Sequence, residues 1–404
     1  MRRGGLVVVV VLTGLLVSAC DKRQGLLAEQ RSAADRPAAA SGSAAPKPAP
    51  AWRLADTPAT TPTSVLWDVV ATDRTHAWAV GHESYDPEKP DTDGVPIVQR
   101  WDGTSWSRQD LPAITWRGGL SMVAADGPDN VWAVGGAAGA DPAHTTTHVL
   151  HYDGTTWSEV PFPPGNKPSN THVTDLAVAG GHTWLVGDQG GKVLVQEYDG
   201  QAWQQRTSPA ECTRGGVSFG GMPNFCNFTG ITAFAPDDVW VAGNAAWSGF
   251  KGPLLFHWDG TAWTPVKVGL NNVETAFSEI AGKPGDIWAV GHTAGYGGPV
   301  AVHGDRKTWR VVEGLPTARL TDLVVDRSGR PWVLENFTAP SATLSTYRDG
   351  RWVDTKAPQP PDTVGMSLHG ITTVPGTADM FAVGAVDLPG EPCMLSTVLL
   401  AYRG

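Results

Sequence analysis

The chain has 404 residues, with 30 Lys and Arg against 40 Asp and Glu, for a formal net charge of −10. Charged residues are only 17%, whereas 48 Gly, 32 Pro and 18 Trp punctuate the sequence; an average soluble domain is about 25% charged. This balance excludes coiled coils and long solvent-exposed helices, and the acidic surplus excludes a general nucleic-acid binder, which needs clustered Lys and Arg.

Residues 1–19 read as a secretory signal, with Arg2 and Arg3 ahead of an apolar stretch over 6–17 and a small-residue ending. The stretch is shorter than the roughly 20 residues of a membrane span. Val17-Ser18-Ala19-Cys20 resembles the lipobox of bacterial lipoproteins. That resemblance implies that Cys20 is diacylated and becomes the first mature residue. The protein would then sit in the cell envelope, on the outer side of the cytoplasmic membrane or, in a two-membrane cell, at the outer membrane. Residues 20–50 hold the lipidated Cys and an Ala/Pro/Ser tether with too few bulky apolar side chains to offset the entropy of ordering.

From residue 51 onward one unit recurs. Ala77-Trp78-Ala79-Val80-Gly81 returns as Val131-Trp132-Ala133-Val134-Gly135, Thr183-Trp184-Leu185-Val186-Gly187, Val239-Trp240-Val241-Ala242-Gly243 and Ile287-Trp288-Ala289-Val290-Gly291. Pro331-Trp332-Val333-Leu334 and Met380-Phe381-Ala382-Val383-Gly384 complete the series, spaced 44 to 56 residues apart. An apolar strand precedes each copy, near 66–71, 120–125, 173–178, 230–235, 278–281, 320–325 and 369–374. A further strand follows, then an Asp-Gly turn and a second Trp, as in Trp101-Asp102-Gly103-Thr104-Ser105-Trp106. Gly supplies the positive φ that closes such a turn. Unit five, with Asp305-Arg306 before Trp309, reads as a lengthened turn. The period and the four strands per unit predict an all-β, seven-bladed β-propeller over 51–404. The last unit stops before its Trp strand, and Ala51-Trp52-Arg53-Leu54 supplies one at the other end. The amino-terminal strand is therefore expected to complete the last blade, because a sheet one strand short exposes an unpaired edge.

The aromatic-Asp-Gly-Thr-x-Trp hairpin after a Val-Gly strand resembles a kelch-type blade, and Val134-Gly135-Gly136 keeps the double glycine. The turn also resembles the Asp-box of sialidase-like propellers without the Ser-x-Asp-x-Gly spacing. Both resemblances imply a fold and no activity. The repeated Trp read as inter-blade packing. Trp67, Trp116 and Trp247 fall outside the repeat positions.

The A–B and C–D turns are short, whereas the B–C and D–A connections are long and differ between units. Those two sets leave the same face of a blade, which makes that face the expected working surface. Its candidate binding residues are Trp116, Arg117, His172, Trp247, Arg319 and His369, together with His82, Glu83, Asp188, His292, Tyr296 and Glu335 just after B strands. Trp116, Trp247 and Tyr296 can offer stacking platforms for a sugar or peptide, and each also reads as a loop-packing aromatic.

His144, His148 and His151 look like a metal triplet, but His148 and His151 should point to opposite faces of one strand, so no metal is expected. No nucleophile elbow, HExxH motif or phosphate loop occurs, and no cofactor is implied. Cys212 and Cys226 share the longest D–A loop and are expected to form a disulfide, leaving Cys393 single. The expectation is a monomeric, membrane-anchored scaffold for a protein, peptide or glycan, with a glycan hydrolase or lyase at the channel mouth as the alternative.

Overall fold

The computed structural model describes residues 51–404 other than 87–93, 112–113, 137–145, 163–170, 190–191, 210–211, 213–224, 248–249, 271–273, 294–297, 318–319, 336–340 and 391–393. Among the described residues the 28 regular elements are all strands, grouped in seven four-stranded antiparallel sheets. The innermost A strands are Val65–Ala71, Gly119–Gly127, Thr171–Ala179, Phe225–Ala235, Thr275–Lys283, Leu320–Val325 and Gly365–Thr373. The B strands are Ala77–Glu83, Asn130–Gly136, His182–Gln189, Asp238–Trp247, Asp286–Thr293, Pro331–Glu335 and Met380–Asp387. C strands follow at Val95–Trp101, Thr147–Tyr152, Lys192–Tyr198, Phe250–Trp258, Pro299–Gly304, Thr343–Arg348 and Leu395–Arg403, and the D strands of blades 1 to 6 are Trp106–Arg108, Trp157–Val160, Trp203–Gln205, Trp263–Pro265, Trp309–Val311 and Arg351–Lys356. Each A strand packs beside the next, and blade 7 returns to blade 1, so the sheets form a closed propeller.

Closure comes from the amino-terminal end. Strand Ala51–Leu54 pairs antiparallel with the last C strand, Trp52 opposite Tyr402. Trp52 is buried against Trp332 of blade 6 at 6.2 Å and Tyr402 at 5.4 Å. The same division of labour recurs between blades. Trp132 meets Tyr198 and Trp203 of the next blade, and Trp288 meets Tyr347 and Trp352. Each B-strand Trp thus fills the gap to its neighbour with a large apolar ring.

The Val-Gly signature has a local cause. In every blade the A–B pairing skips one A-strand residue, as between Leu66 and Asp68. The bulge pushes the Val65 carbonyl oxygen against Gly81, where a Cβ would overlap it, and the equivalent glycines of blades 2–5 and 7 are crowded in the same way. Blade 6 carries Glu335 opposite Leu320 and keeps its bulge without the glycine.

The Asp-Gly turns are of two kinds. In blade 1 the Asp102 N–H donates to Ser105 O, and Asp102 Oδ1 accepts from the Thr104 and Ser105 amides. Blade 5 closes the same way, the Asp305 N–H donating to Thr308 O, with Arg306 in the glycine's place. Its turn is therefore not lengthened; it keeps the ordinary span with a different residue. Blade 6 instead closes in two residues, Asp349 (φ 52) and Gly350 (φ 79), between Arg348 and Arg351.

Cys212 and Cys226 form the disulfide and pin the long connection into blade 4. Cys20, Cys393 and His144 lie outside the described residues. His148 and His151 part as expected: His148 Nδ1 lies 2.5 Å from Glu159, whereas His151 Nε2 lies 3.0 Å from Asn130 Oδ1.

Candidate functional site

The bulges place a ring of side chains around the axis. The residue after each skipped position is Asp68, Met122, Asp175, Gly230, Glu279, Asp322 and Gly370 in blades 1 to 7. Four of the seven are carboxylic acids. Three of these form one repeated latch between blades. Asp68 Oδ1 accepts from Val69 N at 2.7 Å and Oδ2 from Val123 N of the next blade at 2.8 Å. Asp175 does the same with Leu176 N (2.7 Å) and Ile231 N (2.8 Å). Asp322 takes Leu323 N (2.6 Å) and Ile371 N (2.7 Å). In each case the next ring position is Met122, Gly230 or Gly370, which makes no claim on that amide. At Gly370 a Cβ would stand 2.7 Å from the Asp68 Cα, so only glycine lets blades 7 and 1 approach there.

Glu279 breaks the pattern. The amide it would latch, Leu323 N, is already taken by Asp322 of its own blade. Burial, and then the charges of Asp175, Asp322 and Asp68, push the Glu279 carboxyl well above its ordinary range. Burial raises Asp68 to about 6 and Asp175 to about 7 against the lowering pull of their amides. Burial, followed by the charge of Asp68, also raises Asp322 well above the usual range. All four are half-buried side chains of the innermost strands, closely enclosed by protein. Water in a narrow channel solvates charge less well than bulk water, and four acids facing one another cannot all ionise cheaply.

Above the ring, on the side where B–C and D–A connections leave, lies a lip of aromatic and imidazole groups. Trp67 and His369 are the bulged residues of blades 1 and 7, and their rings stand 4.5 Å apart. Trp67 Nε1 donates to His82 Nδ1 at 3.1 Å, so the His82 proton sits on Nε2. The Tyr85 ring lies 5.6 Å beyond His82, and Ser367 Oγ lies 3.1 Å from His369 Nε2. Burial lowers both histidines to about 4, with the His82 charge adding to the effect on His369. Both are neutral near pH 7. The lip therefore offers flat rings and neutral hydrogen-bonding groups over an acidic throat.

No protein-family model matches the sequence, and no curated protein matches it. Solved structures do. The chain is similar to YCF48 bound to D1 peptide, at 16% identity over 87% of this chain and 97% of that one, with a TM-score of 0.50. It is similar to the GH74 xyloglucanase of Xanthomonas campestris, at 16% identity over 86% of this chain and 55% of that one, with a TM-score of 0.51. The β-propeller domain of the Trilobed protease from Pyrococcus furiosus matches at 10% identity over 83% of this chain and 95% of that one, with a TM-score of 0.50. The shared feature is the propeller. That relative has an open velcro topology, whereas strand Ala51–Leu54 closes the ring here.

Of the residues singled out from sequence, the structure brings His82 and His369 together on either side of Trp67 and gives the other described ones separate partners. Glu83 is structural: its carboxylate meets Arg108 Nη2 at 2.5 Å and accepts from Thr61 N at 2.9 Å. Burial works against its ionisation, but the Arg108 and Thr61 hydrogen bonds outweigh it and hold its pKa below the usual value. The exposed His172 and the half-buried Asp188 form a pair at 3.6 Å across strands A and B of blade 3. His292 Nδ1 donates to Thr293 O at 3.1 Å. Glu335 accepts from Ser345 Oγ at 3.3 Å, and burial, with the nearby Asp354, raises its pKa. Trp116 stacks on His148 at 4.3 Å, beside the exposed Arg117. Trp247 pairs through its backbone with Phe250, but its side chain lies outside the described residues, as do Tyr296 and Arg319. No group of His, Cys, Asp and Glu among the described residues could hold a metal ion.

The axial acids are the residues that sequence reasoning missed. Their signal was available: each lies nine or ten residues before its B-strand Trp, as Asp68 before Trp78 and Glu279 before Trp288.

Proposed function

We propose that the chain is an extracytoplasmic binding propeller, monomeric and held to a membrane by acyl groups on Cys20, that takes a protein, peptide or glycan at its axial mouth. Residues 21–50 serve as the tether, and the blades are kelch-like units that supply a rigid frame. One observation carries this reading: Trp67, His82, His369 and Tyr85 gather over the acid ring on the face with the long connections. By contrast, Glu83, Asp188, His292 and Glu335 are each engaged within the frame. Flat rings beside polar groups suit ligands with apolar faces and hydrogen-bonding edges.

The test is a panel of immobilised peptides and glycans probed with the full chain and with Trp67→Ala. The account expects at least one saturable ligand whose affinity falls about tenfold or more in the variant. A panel without a ligand, or ligands indifferent to Trp67, contradicts it.

A second reading, a glycan hydrolase or lyase, is favoured by Glu279 alone. A carboxyl whose pKa burial raises well above its ordinary range holds its proton more tightly and suits donation to a leaving group. The neighbours divide in the same way, one seen with a peptide and one a xyloglucanase. Cleavage of a glycan by the wild-type chain, abolished in Glu279→Gln, would replace binding with this reading.

A further inference from the structure

On the opposite face, among the A–B and C–D turns, a cleft of about 610 Å³ opens between blades 5 and 6. Its walls hold three guanidinium groups from three different segments: Arg310 on the D strand of blade 5, Arg330 after the A–B turn of blade 6, and Arg348 at the C–D turn of blade 6. Asp349 is the one carboxylate among the lining residues. In a chain of net charge −10 this is a local reversal of sign.

The three arginines are held differently. Arg330 spends Nε on Asp326 Oδ2 at 2.9 Å. Arg310 Nη2 donates to His303 Nδ1 at 3.2 Å, which leaves the His303 proton on Nε2, where it is donated to Asp286 Oδ1 at 2.6 Å. The imidazole is itself stacked on buried Trp288 at 4.2 Å. A chain of contacts from the core thus orients Arg310 while leaving most of its donors open. Arg348 is exposed, and its guanidinium makes no ion pair or hydrogen bond among the described residues.

The gap one blade earlier shows what a closed version looks like. Between blades 4 and 5, Arg306 reaches back and pairs with Asp238 Oδ2 at 2.6 Å, beside His257 on Asp238 Oδ1. At the corresponding turn position blade 6 carries Asp349, which cannot pair with Asp286, and the space stays open.

We propose that this cleft is an anion site that takes a tetrahedral oxyanion, a phosphate or sulfate group, between Arg310, Arg330 and Arg348. Guanidinium groups present paired N–H donors matched to such oxygens, and three arriving from separate segments suit an anion with more than two acceptor oxygens. The site is independent of the axial mouth and rests on none of its residues.

Titration calorimetry of the full chain with inorganic phosphate, sulfate and acetate, at constant ionic strength, tests it. Saturable binding of phosphate or sulfate is expected, weakened at least about tenfold in Arg348→Ala and in Arg310→Ala, unchanged in Arg74→Ala and tightened in Asp349→Asn. Phosphate in preference to sulfate, or the reverse, identifies the group within that class. No saturable binding by the wild-type chain, equal binding of acetate, or undiminished binding in the Arg310→Ala/Arg348→Ala double variant would overturn the proposal. Both arginines are exposed, so the variants keep the fold, which far-UV circular dichroism verifies.

Discussion

The axis and the outer turns use the same residue in the same way and obtain opposite results. At the turns, Asp102 and Asp259 accept two backbone amides and a threonine hydroxyl in open solvent. Asp102 is lowered to about 2, chiefly by the Ser105 amide, and Asp259 to about 2, chiefly by the Thr261 hydroxyl. At the axis, Asp68 and Asp175 also accept two amides each, yet they rise to about 6 and 7 because burial outweighs those bonds. Hydrogen bonds alone do not set the charge of a carboxylate; access to water decides whether they suffice. The outer acids serve as turn closures, whereas the axial aspartates trade ionisation for latching blade to blade.

Breaking a latch should have the largest effect. Asp322→Ala orphans the Leu323 and Ile371 amides, at about 1–3 kcal/mol each. Urea denaturation should then show a loss of about 2–6 kcal/mol, and Asp322→Asn, which keeps an acceptor, a smaller one.

Next comes Glu279, with the opposite sign. Its folded pKa lies above its unfolded value, so the folded state holds a proton that the unfolded state releases. Stability conferred at low pH is therefore lost as pH rises above about 4.3, by up to about 1.4 kcal/mol per unit until the folded pKa is reached. Asp68 and Asp175 add to that loss between about 4 and 7. Glu279→Gln should match the wild type near pH 4 and exceed it in melting temperature as pH rises above about 4.3. A variant less stable than wild type at pH 8 would place Glu279 in a latch after all.

The smallest effect belongs to the turns. Asp102→Ala should shift the melting midpoint less than Asp322→Ala does. A larger shift would invert the comparison.

The ring itself was legible because its cause is local and repeated: a Trp that packs between blades, a glycine opposite a bulge, and Asp before a tight turn. Trp52 was readable as the closing strand because its surroundings copy those of Trp106. The disulfide followed from two cysteines in one loop of a chain whose first residues read as a secretory signal. The throat was less legible, because its positions hold Asp, Met, Asp, Gly, Glu, Asp and Gly in blades 1 to 7, so no one residue type marks the position in every unit. Trp67 stood out only by falling outside the repeat, and its contact with His369 joins blades 1 and 7, more than 300 residues apart in sequence. Conversely, Glu83 looked like a free acid after a B strand until Arg108, on the D strand of its own blade, was seen to claim it. Such pairings depend on which side chain reaches across a sheet, and spacing along the chain does not encode that.

Hydrogen–deuterium exchange of the full chain, with and without a ligand from the peptide and glycan panel, tests most directly whether the axial mouth is the working surface. Protection should appear at residues 61–68, 82–85 and 366–370. Protection confined to the A–B and C–D turns, with those segments unchanged, would contradict the account.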